Sequence, residues 1–177
     1  MNYADIKKYD ISNGPGVRVS VFVSGCTHHC KGCFNEEAWD FQYGNPFTSE
    51  TIYEIIEELG NSYYEGITFL GGEPFEYVNQ KGLLELAKAV KEAYPNKTIW
   101  CFTGYLFDKD ILGQMYEKWP ETRELLSLID VLVDGKYIEE LHSLGLRFKG
   151  SSNQRTILVQ ESLKSKEIIL WDPNTND

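Results

Sequence analysis

The sequence predicts an α/β protein built on a parallel sheet, either open or closed only part of the way into a barrel. Three observations predict it. Short apolar strands alternate with amphipathic helices along the chain, the pattern of successive βαβ units. The chain has 177 residues, whereas a complete eight-stranded barrel runs to about 250. The unusual sequences Gly25-Cys26, Gly71-Gly72-Glu73-Pro74, Thr103-Gly104-Tyr105 and Asp134-Gly135-Lys136 each fall just beyond an expected strand. In parallel sheets, ligands gather at those carboxyl ends.

Taken in order, Val17, Val19, Val21 and Val23 alternate with Arg18, Ser20 and Phe22 and mark a first strand ending at Ser24-Gly25. A helix opens with Thr48 or Ser49 as N-cap, gathers Ile52, Ile55, Ile56 and Leu59 on one face and stops at Gly60. Residues 67–70 form a short apolar strand running into Gly71-Gly72. Leu83, Leu86, Ala87 and Val90 lie on a second helix that ends before Pro95, and Thr98 to Phe102 is the third strand. Ile111, Leu112, Met115, Tyr116 and Trp119 suggest a helix broken by Pro120. Residues 125–128 read as a short helix and 129–133 as the fourth strand. Residues 155–160 and 167–171 read as strands around a Ser/Lys-rich turn, and 174–177 as a frayed end. No repeat and no linker interrupts the chain, so residues 1–177 are expected to form one domain, with about 158–177 as a C-terminal extension.

Charge and hydropathy exclude several functions. Asp and Glu number 27 against 17 Lys and Arg, a net charge of −10. Such a chain repels phosphate backbones, so no nucleic-acid partner is expected. No run approaches the ~18 apolar residues of a membrane span. Met1-Asn2-Tyr3-Ala4-Asp5 lacks the pattern of a signal peptide. A cytoplasmic protein without membrane contact is the expectation.

Cys26-Thr27-His28-His29-Cys30-Lys31-Gly32-Cys33 places three thiols on one tight loop, while Cys101 stands alone in a strand. In a reducing compartment such a cluster reads as a metal or catalytic site. One reading is a single zinc with His28 or His29 as fourth ligand, which would make the chain a zinc-binding interaction module. Structural zinc sites usually pair two cysteine-rich halves, however, and a second half is missing. The other reading is an iron–sulfur cubane held by Cys26, Cys30 and Cys33, with one iron open to a ligand. Gly71-Gly72-Glu73-Pro74 suits close approach of a ligand to backbone carbonyls, with the Glu73 carboxylate available to an ammonium group. Cys101 reads as a buried inert thiol. His28 and His29 read as exposed.

The C-x3-C-x2-C loop followed by Gly-Gly-Glu-Pro resembles the radical S-adenosylmethionine superfamily. The stretch Asn13-Gly14-Pro15-Gly16-Val17-Arg18, with Ile99 to Tyr105, Asp130 to Lys136 and Gly150 to Arg155, is similar to its activators of glycyl-radical enzymes. The resemblance covers residues 2–157. It implies a partial (β/α) barrel of minimal size, a [4Fe-4S] cluster on Cys26, Cys30 and Cys33, and S-adenosylmethionine held by Gly32, Cys33, Phe34, Gly72 and Glu73. Many members carry an aromatic residue just before the third cysteine; here Gly32 stands there and Phe34 follows Cys33. The family's Asp-x-Lys makes Asp134 and Lys136 candidate catalytic residues. The implied reaction is reductive cleavage of S-adenosylmethionine to methionine and a 5′-deoxyadenosyl radical. That radical makes a glycyl radical on the large subunit of an anaerobic ribonucleoside-triphosphate reductase, with an electron donor such as flavodoxin. An activator of another glycyl-radical enzyme, or a small-molecule enzyme of the same superfamily such as a deazapurine synthase, is the nearest alternative.

Overall fold

The computed structural model of the protein describes residues 1–174; the expected fraying of 174–177 falls outside them from residue 175 on. One seven-stranded sheet organises the chain, in the order β3-β1-β2-β4-β5-β6-β7. Its centre is β2 (Val17–Val23), β4 (Tyr64–Gly71), β5 (Thr98–Phe102) and β6 (Val131–Asp134), all parallel. These are the four strands expected from the sequence.

The edges correct the expectation of a wholly parallel sheet. β1 (Asn2–Asp10) pairs antiparallel with β2, β3 (Asn45–Pro46) antiparallel with β1, and β7 (Arg155–Leu158) antiparallel with β6. The link from β1 to β2 is too short for the crossover that a parallel pair requires. β1 escapes a periodicity search because Lys7, Lys8 and Asp5 give it the charged character of an edge. Its register also shifts between Lys7 and Asp10, where Tyr9 takes a φ of +55°. The sheet does not close on itself.

Helices cover one face. α1 (Ser49–Leu59) opens on a reciprocal capping box between Thr48 and Thr51. α2 (Tyr77–Ala93) lies beside it and α4 (Pro120–Leu128) beside α2, and α4 carries Pro120 in its first turn. Between β5 and α4 the chain forms a π-helix over Phe107–Met115, continued by α3 (Tyr116–Lys118). Val19, Val21, Val23, Ile67, Phe69, Ile99 and Leu132 from the sheet share one core with Leu59, Leu83, Leu86, Val90 and Leu125 from the helices. The other face keeps a smaller cluster of Trp100, Val131 and Val133 under Phe148 and Trp171.

The C-terminal reading also changes. After β7, residues Val159–Ser165 form α5 instead of completing a strand, and 167–171 contribute only a bridge between Leu170 and Ile157. Gln160 donates to the Leu126 and Ile129 carbonyls and pins α5 to α4. Among the described residues no helix is long and apolar enough to cross a membrane.

Candidate functional site

The loops that follow the parallel strands meet at one edge of the sheet around a cavity of about 670 Å³. Cys26, Cys30 and Cys33 line it from the loop after β2. Gly71, Gly72 and Glu73 line it after β4, Thr103 and Gly104 after β5, and Gly135 after β6. The four segments singled out in the sequence do converge.

The backbone sets the cysteine loop. Gly72 N–H donates to Val23 O at 2.7 Å and Glu73 N–H to Gly25 O at 2.8 Å, extending the β2–β4 ladder past its end. Gly25 N–H donates to Ala38 O at 2.7 Å and Cys26 N–H to Trp39 O at 3.2 Å, so the 3₁₀ turn Glu36–Trp39 backs the loop. A Cβ on Gly72 would stand 2.6 Å from Gly25 O and 2.8 Å from Ala38 O. Glycine is required at 72 because two backbone segments press against it.

All three thiols are free, and each sulfur faces a backbone N–H. The N–H groups of His28 and His29 face Cys26, that of Tyr137 faces Cys30, and Asn35 N–H donates to Cys33 Sγ at 3.4 Å. Burial pushes the Cys26 thiol up to about 11, with Glu73 adding to the rise and the two N–H groups opposing it. Burial also raises Cys30. Ligand thiols in such a site release their protons to solvent when a metal binds. Cys101 is fully buried and its thiol is raised well above the usual range, the inert thiol expected.

Glu73 is 1% exposed. Its Oε1 accepts from Phe75 N–H at 2.9 Å and Thr103 Oγ1 at 2.6 Å, and its Oε2 from Gly104 N–H at 2.7 Å and His28 Nε2 at 2.8 Å. The His28 side chain is 7% exposed and its ring meets Tyr105 edge-on. The His28 side chain is therefore buried, contrary to the exposure read from sequence, because the carboxylate draws it in.

The family model described as a 4Fe-4S single cluster domain matches residues 12–157. The anaerobic ribonucleoside-triphosphate reductase-activating protein of Enterobacteria phage T4 is 41% identical over 155 residues, covering 88% of this chain and 92% of its own. The proteins of that name from Vibrio cholerae and Escherichia coli K12 are 40% and 39% identical over 156 residues, covering 87% of this chain and 96% of theirs. The chain belongs to the anaerobic ribonucleoside-triphosphate reductase-activating protein family.

The residues present in this activating-protein chain fit a cluster. An all-sulfur donor set, three thiols on one cavity wall, with N–H groups aimed at the sulfurs, is the environment in which iron–sulfur clusters sit. Among the described residues no three His, Cys, Asp or Glu side chains are gathered tightly enough to enclose one metal ion. A cubane makes no such demand, since each thiolate binds a different iron.

The other expected site residues divide. Phe34 lines the cavity mouth, 72% exposed, its ring 5.2 Å from Tyr137 and 5.8 Å from His142. Gly32 takes a φ of +73° and lies against Glu139, apart from the cavity-lining residues. Asp134 is fully buried, its carboxylate held by both Nε and a terminal nitrogen of Arg155 and by Phe107 N–H. Lys136 is likewise outside the cavity lining, and its carbonyl accepts from Asn153. Sequence reasoning missed Trp39, which lines the cavity and stacks on His29 at 4.3 Å. It also missed Tyr137, which lines the cavity, sets its ring against Phe34 and turns its backbone N–H toward Cys30.

Proposed function

We propose that this chain activates an anaerobic ribonucleoside-triphosphate reductase by generating a glycyl radical on its large subunit. The observation that carries the reading is the single cavity lined at once by Cys26, Cys30 and Cys33, the Gly71-Gly72-Glu73 turn and Thr103-Gly104. When bound, a [4Fe-4S] cluster supplies the electron that cleaves S-adenosylmethionine to methionine and a 5′-deoxyadenosyl radical, which takes a hydrogen atom from a glycine Cα of the reductase. The chain's own part is to hold three thiolates, stabilise them with backbone N–H groups and offer the Gly72 turn and the Cys33–Phe34 corner to the cofactor. Asp134 serves by fixing Arg155 and the start of the π-helix. The open sheet is the partial barrel of the radical S-adenosylmethionine superfamily, and residues 1–177 are one domain working in the cytoplasm with a donor such as flavodoxin. The cavity stays open because the substrate is a segment of another protein.

The test is anaerobic incubation with the reductase, S-adenosylmethionine and reductant, followed by electron paramagnetic resonance. A persistent glycyl doublet is expected only when the reductase is present. Cys26→Ala, Cys30→Ala and Cys33→Ala should each abolish it and the bound iron, while Cys101→Ala keeps both. A stable radical on the chain alone would sink the reading.

A further inference from the structure

The Glu73 carboxylate sits in the turn expected to meet a ligand's ammonium group, yet it is already saturated. A carboxylate offers about four acceptor sites. Here Phe75 N–H, Thr103 Oγ1, Gly104 N–H and His28 Nε2 fill them at 2.6 to 2.9 Å. The donors come from three strand ends: the cysteine loop, the turn itself and the segment after β5. Phe75 and Gly104 give backbone N–H groups, which cannot reverse their role. The acceptor-only carboxylate likewise fixes the proton of His28 on Nε2.

We propose that Glu73 is a positioning residue that acts through His28, holding the Cys26–Cys30 arc in place for the cluster, and that it is not the acceptor of the cofactor's ammonium group. His28 lies between the first two cysteines and has two anchors. Its ring nitrogen is tied to Glu73, and its face is closed by Tyr105 and Gly104; a Cβ on Gly104 would come within 2.7 Å of the ring. Its backbone N–H faces the Cys26 sulfur. A seated side chain restrains the backbone of residue 28, and that backbone carries the N–H facing the Cys26 sulfur. The neighbouring Glu76 repeats the design on Thr27, taking both its N–H and its hydroxyl. The first half of the loop is thus bolted by two glutamates from the segment that follows β4.

This rests on the proposed cluster reading, so the test reads the cluster itself. Wild type, His28→Gln, His28→Leu, Thr103→Val and Glu73→Gln are reconstituted anaerobically with iron and sulfide. Iron per chain, the reduced-cluster resonance spectrum and the S-adenosylmethionine titration of that spectrum are then compared. Glutamine places an N–H donor close to the position of His28 Nε2; leucine does not. His28→Leu should bind iron about tenfold more weakly, a loss usual for groups behind a metal ligand. His28→Gln should restore wild-type iron, spectrum and titration, a rescue that bulk alone would not give. Thr103→Val, nearly isosteric and 75 residues distant from His28 in sequence, should shift the spectrum while iron stays bound, and it carries the test if the leucine variant does not fold. Glu73→Gln, which turns an amide NH₂ toward a fixed donor, should lose iron. Full iron and an unchanged spectrum in both His28→Leu and Thr103→Val would overturn the proposal. So would Glu73→Gln with an intact spectrum but cofactor affinity about tenfold weaker. A wild-type chain that takes up no cluster would instead strike the cluster reading, and is recognised before any variant is compared.

Discussion

At the scale of single residues, positions that look alike in sequence divide by what they touch. Gly72 and Gly32 were both expected beside the cofactor. Gly72 lines the cavity, and its missing side chain lets the Gly25 and Ala38 carbonyls close in. Gly32 holds a positive φ on the outer side of the loop, next to Glu139 and to Lys31, which pairs with Glu139 and Glu140. Gly72→Ala should therefore do more than obstruct a ligand. The methyl group meets backbone, which has no rotamer to yield, so a loss of about 1–3 kcal/mol is expected. Urea unfolding of the metal-free chain measures it, and an unchanged midpoint would refute the close approach.

At the scale of elements, the β1–β2 connection shows how a buried carboxylate replaces apolar packing. Asp10 ends β1 fully buried, and its carboxylate accepts from Ser20 Oγ, Ser12 N–H and Asn13 Nδ2. Burial works to raise its pKa, but the hydrogen bonds, with Lys7 nearby, outweigh it and the group is lowered. A lowered carboxylate stabilises the fold above its unfolded value near 4, and that contribution is lost as pH falls through the folded value. Asp10→Asn should cost about 1–3 kcal/mol at pH 7, and the gap to wild type should narrow below about pH 4. Denaturant titrations at neutral and acid pH check the sign; a gap that widens on acidification would contradict it. The π-helix Phe107–Met115 is the element least legible in sequence. Its apolar residues repeat much as those of an α-helix do, and its wider turn is settled where Asp134 and Asp110 accept the Phe107 and Leu106 N–H groups.

Across the whole molecule, one buried cation ties the sheet together beneath the site. Arg18 is 0% exposed and donates to Thr68 Oγ1, to the Pro15, Ile67 and Thr98 carbonyls and to Thr98 Oγ1. It lies 5.9 Å from the centre of the Trp100 ring. Burial pushes the guanidinium down to about 10, so it stays charged at neutral pH. The Gly-Pro-Gly turn ahead of it supplies one of those carbonyls. Gly14 packs on the guanidinium stem, where a Cβ would come within 2.8 Å. Arg18→Met would fill the stem's space and orphan the oxygens, at about 2–4 kcal/mol. A lower thermal midpoint with unchanged helix content is expected; an equal midpoint would show that the clamp contributes nothing.

The sequence by itself determined the parts that depend on near neighbours. The alternation of Val17 to Val23, the apolar faces of the first two helices, the caps of the first, and the order in which reactive segments follow strands are patterns within a few residues. The three-thiol set at Cys26, Cys30 and Cys33 is equally local. Only the tertiary structure decided the antiparallel edges, the seat of His28 on Glu73 and the capture of Asp134 by Arg155. Those outcomes depend on groups far apart in the chain, such as Arg18 and Thr98, 80 positions apart. Hydrogen-bond capacity at Glu73 and Asp134 is the same in sequence, free for a ligand or spent within the protein. Which donors reach it is settled only when the sheet brings the strand ends within 3 Å of one another's side chains, because a buried carboxylate takes whatever donors the packing supplies.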